Sequence, residues 1–280
     1  MLFDTTALAY TRLMALTPDA DPLYQAARHH VRAALLPIVN GAAPDADAIH
    51  QLRVCCKRLR ALLQLYRPYA GHSRLRQLDR QLRQIAKALA GRRDLHVQQQ
   101  LIKQLASELD APLNPTLNSQ LLQTSPVRPL NADDNEHIIA AFAAVLVDWP
   151  HSANGVTDHW QAGLQRTIKR ARKLARRACN SDQDALYHRC RKWTKYALYQ
   201  REQLHDNRLP ADAQMQQLAK LGERLGELQD LCNLQAQLLH AAASADREAL
   251  AAQLEQRKQH CKRRIIRLFI RVFGRSGFRY

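Results

Sequence analysis

The chain has 280 residues, which suffices for one large domain or two smaller ones, each able to bury a core without disulfides. Lys and Arg number 42 against 25 Asp and Glu, and the formal net charge of +17 indicates a partner such as nucleic acid, an anionic membrane surface or another polyanion. No stretch approaches the roughly 18 uninterrupted apolar residues of a membrane span, and residues 1–16 lack the features of a signal peptide, so we expect a soluble, unsecreted protein.

The composition favours long helices over sheets. The chain contains only 9 Gly and 6% aromatic residues, while Leu, Ala, Gln and Arg, which are good helix formers, dominate. Its cysteines include no Cys-x-x-Cys pair, and most stand at apolar positions of helical patterns. We therefore predict an all-α protein with reduced thiols, as in a cytoplasm. These thiols are Cys55, Cys56, Cys179, Cys190, Cys232 and Cys261.

Helical periods run from about Thr5 to Leu109, and the Pro and Gly residues between them predict short turns joining antiparallel helices. The segment 110–131 gathers four prolines with several Asn and Ser, which favours a boundary. Periodicity resumes at Asp133 and continues to about Phe273, with breaks near 150–155, 180–181, 207–210 and 244. We predict a first helical-bundle repeat at 1–125, a linker at 126–132 and a second repeat at 133–280.

The second half repeats the first faintly in sequence. The pattern His-x-x-Arg-x-x-x-Lys begins at His50 and again at His188. An Asp-Leu pair follows a Leu-rich segment at Asp94 and again at Asp230. The offsets, 138 residues between the histidines and 136 between the aspartates, agree closely and indicate an internal duplication.

In the first half, helical phase places cations in stripes opposite apolar residues. At about 100° per residue, the first stripe spans an arc of roughly 80°. Its members are His50, Arg53, Lys57 and Arg60. The opposite arc, from Leu52 to Tyr66, is apolar and suits packing in a bundle. The second stripe, opposite the apolar positions from Leu75 to Leu89, comprises Arg76, Arg80 and Arg83.

The second half carries two corresponding stripes. The third stripe repeats the spacing of the first and comprises Arg166, Lys169, Lys173 and Arg176. The fourth stripe comprises His188, Arg191 and Lys195, and it is shorter because Leu198 stands where the first stripe has Arg60. The basic residues of the C-terminal helix, between Arg257 and Arg271, circle that helix, so we expect only a secondary electrostatic patch there.

Cations stacked at this spacing repel one another by a few tenths of a kcal/mol per pair, so four such stripes indicate a ligand that neutralises them. A linear polyanion would release counterions and bind in a salt-sensitive way without a special pocket. Arg outnumbers Lys, which favours phosphate because guanidinium groups form bidentate hydrogen bonds. For His50 and His188, both a structural role and direct ligand contact remain open. We expect Asp94 and Asp230 to orient nearby cations.

These residues resemble a CHAD domain, a helical family named for its characteristic histidines. The resemblance spans nearly the whole chain, and the order and duplication of the motifs make it specific. The matching segments are Ile49-His50-Gln51-Leu52-Arg53-Val54, Lys57-Arg58-Leu59-Arg60, Arg93-Asp94-Leu95, Gly163-Leu164-Gln165-Arg166, Lys169-Arg170-Ala171-Arg172 and Leu186-Tyr187-His188-Arg189-Cys190-Arg191-Lys192.

The resemblance implies two four-helix-bundle repeats related by pseudo-two-fold symmetry, with a basic cavity between them that binds inorganic polyphosphate. It implies non-catalytic binding, with no cofactor or metal, by a cytoplasmic protein associated with polyphosphate granules. The four stripes would then line the polyphosphate surface. The triphosphatase domain fused to some family members is not expected here, because its Glu-x-Glu-x-Lys signature does not occur.

Three alternatives stay open. A nucleic-acid-binding bundle would use the same cations, although the stripes lack interleaved aromatic residues, and non-specific affinity at low salt is expected. A metal-dependent polyphosphatase would need clustered carboxylates or a phosphate-binding loop, and neither is visible in the sequence. Membrane-surface binding by the C-terminal helix competes with core packing of the same apolar residues. The sequence leaves the oligomeric state and the preferred chain length open.

Overall fold

The computed structural model describes residues 11, 21–40, 43–68, 70–89, 100–105, 115–122, 130–131, 133–150, 157–205, 212–276 and 278. Regular structure in this part of the chain is helical throughout, without a strand, so the predicted all-α class is confirmed. Most of the predicted linker, 126–132, lies outside the described residues. The domain boundary, the pseudo-two-fold repeat and the basic cavity stay predictions.

The helices follow the predicted breaks. Asp21, Asp45, Asp212 and Ser244 cap helices by accepting a backbone N–H through the side chain, which satisfies a donor that the first turn leaves unpaired. In chain order the helices are α1 (Pro22–Leu35), a 3-10 turn (Leu36–Ile38), α2 (Ala46–Leu65), α3 (His72–Ala88), α4 (Pro115–Leu122), α5 (Asp133–Val147), α6 (Thr157–Ser181), α7 (Asp184–Leu204), α8 (Ala213–Leu238) and α9 (Ala245–Phe273).

The chain forms two compact units. Unit 1 comprises Met1–Ala90, Arg128–Thr167 and Tyr199–Leu204, and unit 2 comprises Gly91–Val127, Ile168–Leu198 and His205–Tyr280. Helices α6 and α7 therefore contribute residues to both units.

In unit 1, α2 packs against α1 and α3, and α5 packs against α1 and α3. The apolar positions predicted on α2 and α3 are buried, so the predicted core stripes of these helices are confirmed. A buried polar chain joins three segments: Trp149 Nε1 donates to the Tyr66 hydroxyl at 3.1 Å, and that hydroxyl donates to Asp21 at 2.8 Å. Asp21 also caps α1, so one carboxylate satisfies a helix end and a buried phenol.

In unit 2, α8 packs against α9 and α4. The core is built from leucines of α8, including Leu221 and Leu225, together with Ile265 and Phe269 of α9 and Tyr187 of α7. The rings of Tyr187 and Phe269 stack with centroids 6.2 Å apart.

All six cysteines lie in described helices and are free, and burial raises the pKa of Cys190 and of Cys261 to about 12. These buried thiols therefore behave as small apolar side chains.

Gly163 permits a close helix contact inside unit 1. A Cβ atom at this position would lie 2.7 Å from Leu65 Cα and 2.8 Å from the Leu65 carbonyl oxygen, both backbone atoms that cannot rotate away. We predict that Gly163→Ala lowers the free energy of unfolding by about 1–3 kcal/mol, as overpacking does. Urea denaturation measures this. Ala162→Ser, at the adjacent exposed position, is the control, and equal or greater stability of Gly163→Ala would contradict the close contact.

His30 on α1 makes the stability of unit 1 depend on pH. Burial, with repulsion from Arg58 and His29, lowers the pKa of His30 to about 4, although a hydrogen bond with Gln203 acts in the opposite direction. Because an unfolded histidine titrates near about 6.5, the unfolded state binds more protons between these values. The His30 contribution to stability is therefore fully present above about pH 6.5 and is lost as the pH falls through 4.

We predict that His30→Gln flattens the decline of Tm between pH 7 and 4.5, because the substitution removes a group that protonates on unfolding. Thermal melts across this range measure the slope, which is informative even if the substitution shifts Tm at every pH. His72→Gln, at an exposed position that begins α3, is the control. Parallel curves for wild type and His30→Gln would show that His30 is protonated equally in both states.

Candidate functional site

The first two stripes lie on α2 and α3 of unit 1. Lys57 and all three members of the second stripe are exposed, while His50, Arg53 and Arg60 are half-buried. The apolar face of each helix is buried beneath them. The two helices therefore present cations at the surface of unit 1, as the periodicity predicted.

Asp79 joins the first stripe to the second. Its carboxylate accepts from Arg60 Nε at 2.8 Å and from Arg83 Nη2 at 2.5 Å, and the side chain is only about one-tenth exposed. Because Arg60 is also largely buried, this pair is screened less than a surface pair. Arg60 and Arg83 are thus oriented by a carboxylate that the sequence interpretation had not assigned to the site.

The third stripe lies on α6. Arg166 belongs to unit 1, and Lys169, Lys173 and Arg176 belong to unit 2. The first three are exposed, whereas Arg176 is half-buried and donates from Nη2 to the Ser276 carbonyl at 2.5 Å. Arg176 therefore already has a partner just beyond the end of the C-terminal helix.

In the fourth stripe, Arg191 and Lys195 of α7 lie against two glycines of α8. A Cβ atom at Gly222 would be 3.0 Å from Lys195 Cε, and one at Gly226 would be 3.3 Å from Arg191 Nη2. The two glycines are one helical turn apart, as are the two cations, so each side chain lies over bare backbone. The glycines thus leave the space that these half-buried cations occupy.

The remaining predictions for this region differ in outcome. His188 is exposed, and its Nδ1 is hydrogen-bonded to the Gln229 side-chain oxygen. Leu198, the apolar replacement in the fourth stripe, is buried in the core of unit 2. Asp94 lies outside the described residues, and Asp230 is half-buried. Whether His50 and His188 contact a ligand stays a prediction.

The basic residues of the C-terminal helix lie on both sides of it, as predicted, but the two sides differ in burial. Lys258 and Lys262 are buried and pair with Asp184 at 2.7 Å and 2.9 Å, and Lys262 also pairs with Asp182 at 3.0 Å. Burial alone would raise the pKa of Asp184, but hydrogen bonds from the two lysines hold it below its usual value. The exposed basic residues of the helix, which do not include these two lysines, share one face.

Sequence reasoning missed Asp79, Gly222 and Gly226 as parts of the site. A signal exists for each: Asp79 is the only acidic residue in α3, four positions before Arg83, and the two glycines interrupt an otherwise Leu-rich helix. These signals do not predict which cations lie beside Asp79 and the glycines, because Arg60 and the cations of α7 belong to other helices.

The family of the chain is shown by comparison with protein-family models. The CHAD domain model matches residues 22–240. The chain belongs to the CHAD domain family. CHAD domains are associated with polyphosphate binding and metabolism. No curated protein and no solved structure matches the chain. Within the described residues of this CHAD protein, no helix is both long and apolar enough to cross a membrane.

The glycine contacts predict a binding effect that is separate from stability. We expect Gly222→Ala/Gly226→Ala to displace Lys195 and Arg191 and to weaken polyphosphate binding by about two- to tenfold, which corresponds to up to about 1.4 kcal/mol. Because Ala favours the helix by up to about 1 kcal/mol over Gly, α8 itself should not be weakened. Fluorescence titration with polyphosphate, with a parallel urea melt, measures both effects. Gln216→Ala, at an exposed position of α8, is the control, and unchanged affinity of the double variant would contradict this role.

Proposed function

We propose that this CHAD protein binds inorganic polyphosphate without catalysis, through the cations of the four stripes, in the cytoplasm and at polyphosphate granules. The observation that carries the proposal is that the stripe helices bury their apolar faces and turn cations outward, with several of those cations fixed in position. Asp79 orients Arg60 and Arg83 in unit 1. In unit 2, the glycines of α8 leave space for Arg191 and Lys195.

The stripes suit a linear ligand with closely spaced phosphates. A stripe of four cations extends over about 15 Å of helix, so a chain lying along it can contact several of them at once. Each contact releases counterions, which gives affinity that falls steeply with salt. Arg groups add bidentate hydrogen bonds to phosphate oxygens, whereas Lys groups add mobile point charges.

The members of the stripes have different roles in this proposal. Those that are exposed contact the polyphosphate chain first: Lys57, Arg76, Arg80, Arg83, Arg166, Lys169 and Lys173. Half-buried members such as Arg60, Arg191 and Lys195 are held by neighbouring groups and lose less conformational entropy when a phosphate arrives.

Titration of long-chain polyphosphate at several salt concentrations tests the proposal. We expect Arg76→Gln/Arg80→Gln in unit 1 and Lys169→Gln/Lys173→Gln in unit 2 each to weaken binding about tenfold at 0.15 M salt. Each pair should also reduce the slope of log K against log salt by about 1.5, since two phosphate contacts are lost. Arg32→Gln/Lys103→Gln removes the same charge from exposed positions outside the stripes and should have a smaller effect.

Two competing activities are separated in the same series. Equal affinity for duplex DNA at matched phosphate concentration would favour non-specific nucleic-acid binding over the proposal. Release of inorganic phosphate from polyphosphate in the presence of Mg²⁺, by the purified wild type, would show that the protein is a polyphosphatase. Preference for polyphosphate without phosphate release is the expected result.

A further inference from the structure

The second half of α9 presents a continuous cationic surface. Every exposed side chain between 260 and 273 is basic. No Asp or Glu follows Glu255 in the sequence, and none of these exposed cations has a carboxylate partner among the described residues. We call this surface the C-terminal cationic face, and its members are His260, Arg263, Arg264, Arg267 and Arg271.

This face points away from the buried lysines of the same helix. At about 100° per residue, its members fall within an arc of roughly 100° that lies opposite Lys258 and Lys262. Those two lysines point toward Asp182 and Asp184, at the start of α7. The side of α9 that faces α7 is therefore neutralised internally. On the opposite side, Glu227 and Glu255 line a depression together with His260 and Arg263, but neither of these described carboxylates forms an ion pair with the face, and Glu227 pairs with Arg224 at 2.6 Å.

Helix α8 separates this face from the fourth stripe within unit 2. Gly222 and Gly226 of α8 contact the cations of α7. The α9 contacts of α8 lie about half a turn farther around its axis, where the Arg224 carbonyl accepts from Cys261 at 3.5 Å and Gln235 accepts from Lys258 at 2.6 Å. The fourth stripe and the C-terminal cationic face thus lie on different sides of α8.

The helix dipole does not account for the face. Cations are favoured only in the last turn of a helix, which here contains Arg271. The other four members lie farther back, and neighbours such as Arg263 and Arg267 are four positions apart, where like charges repel by about 0.2–0.5 kcal/mol. A surface about 17 Å long with this repulsion is suited to a ligand that supplies negative charge along its length.

The chemistry of the face favours phosphate without an apolar or aromatic part. Ile265, Phe269, Val272 and Phe273 are buried in the core of unit 2, and the half-buried Leu268 and Ile270 pack against it. Only the half-buried Ile266 adds further apolar surface between 260 and 273, which is little for insertion into a lipid surface. The same burial leaves no aromatic ring on the face between 260 and 273 on which bases could stack. What remains is a row of hydrogen-bond donors and positive charges.

We propose that the C-terminal cationic face is a second polyphosphate-binding surface, which makes one protein molecule bivalent and able to cross-link polyphosphate chains. The inference rests on the proposed function, in which the stripes of unit 1 and of unit 2 already bind polyphosphate. The family match ends at residue 240 and does not include α9, which begins at Ala245. A protein with two such surfaces gathers chains by avidity without any further contact.

Stoichiometry and light scattering test this proposal. Wild type should bind at least two short polyphosphate chains per molecule and form scattering clusters with long chains. We expect Arg264→Gln/Arg267→Gln/Arg271→Gln to bind fewer short chains per molecule than wild type and to scatter less light with long chains. The fold should persist because all three side chains are exposed, and a thermal melt checks this. Arg32→Gln/Lys103→Gln/Lys220→Gln removes the same charge from other exposed positions and should still form clusters.

The outcomes separate this inference from the proposed function. If wild type binds a single short chain, or if the α9 triple variant keeps both its stoichiometry and its clusters, the second surface is wrong while polyphosphate binding stands. If wild type binds no polyphosphate, both proposals fail. Binding of the face to phosphatidylglycerol vesicles, with unchanged polyphosphate stoichiometry in the triple variant, would assign it to a lipid surface instead.

Discussion

Ion pairs with a few carboxylates decide which cations of this protein remain available to a partner. Asp79 holds Arg60 and Arg83 in unit 1, and Asp182 and Asp184 hold two buried lysines of α9 in unit 2. Charges taken out of water must be paired, because the loss of hydration costs several kcal/mol per ion. These three acids fix four of the described cations, of which Arg83 is still exposed at the surface. In the proposed function, the exposed cations attract the polyanion.

The ion pairs of α9 also join distant parts of the chain. Asp182 has a positive φ of 50° between α6 and α7, a conformation that Asp tolerates better than most residues. Its backbone carbonyl and its carboxylate both accept from Lys262, at 3.2 Å and 3.0 Å. The turn between α6 and α7 is thereby anchored to a helix some 80 residues later. The same contacts orient α9 so that its remaining cations face solvent.

Glycine acts in two different ways in the two units. In unit 1, Gly163 lets one helix backbone approach Leu65 closely, which is a matter of packing and stability. In unit 2, Gly222 and Gly226 leave space for charged side chains of α7, and in the proposed function these side chains contact the ligand. The two cases differ in the atom that lies next to the glycine. Beside Gly163 it is a backbone atom of Leu65, which cannot move aside, whereas beside Gly222 it is the end of a Lys side chain, which can.

A polymeric ligand does not require an enclosed pocket in the proposed function. Polyphosphate carries repeated identical charges, so affinity can be distributed over many modest contacts instead of one cavity. Such binding needs helices that keep their cations on one face, which the apolar cores of the units enforce. If the C-terminal cationic face also binds polyphosphate, many modest contacts on separate surfaces would let one protein molecule connect several polyphosphate chains.

The sequence alone determined the all-α class, the order of the helices, the buried apolar faces and the phase of the four stripes. These features depend on local periodicity, since residues three or four positions apart share a helix face whatever the helix packs against. Only the tertiary structure decided which cations are paired. Arg60 pairs with Asp79 of the next helix. Lys258 and Lys262 pair with Asp184, the first residue of α7, and Lys262 also pairs with Asp182 in the turn before it. The glycines beside Arg191 and Lys195 belong to α8. Such contacts join residues far apart in sequence, and helical phase carries no information about them.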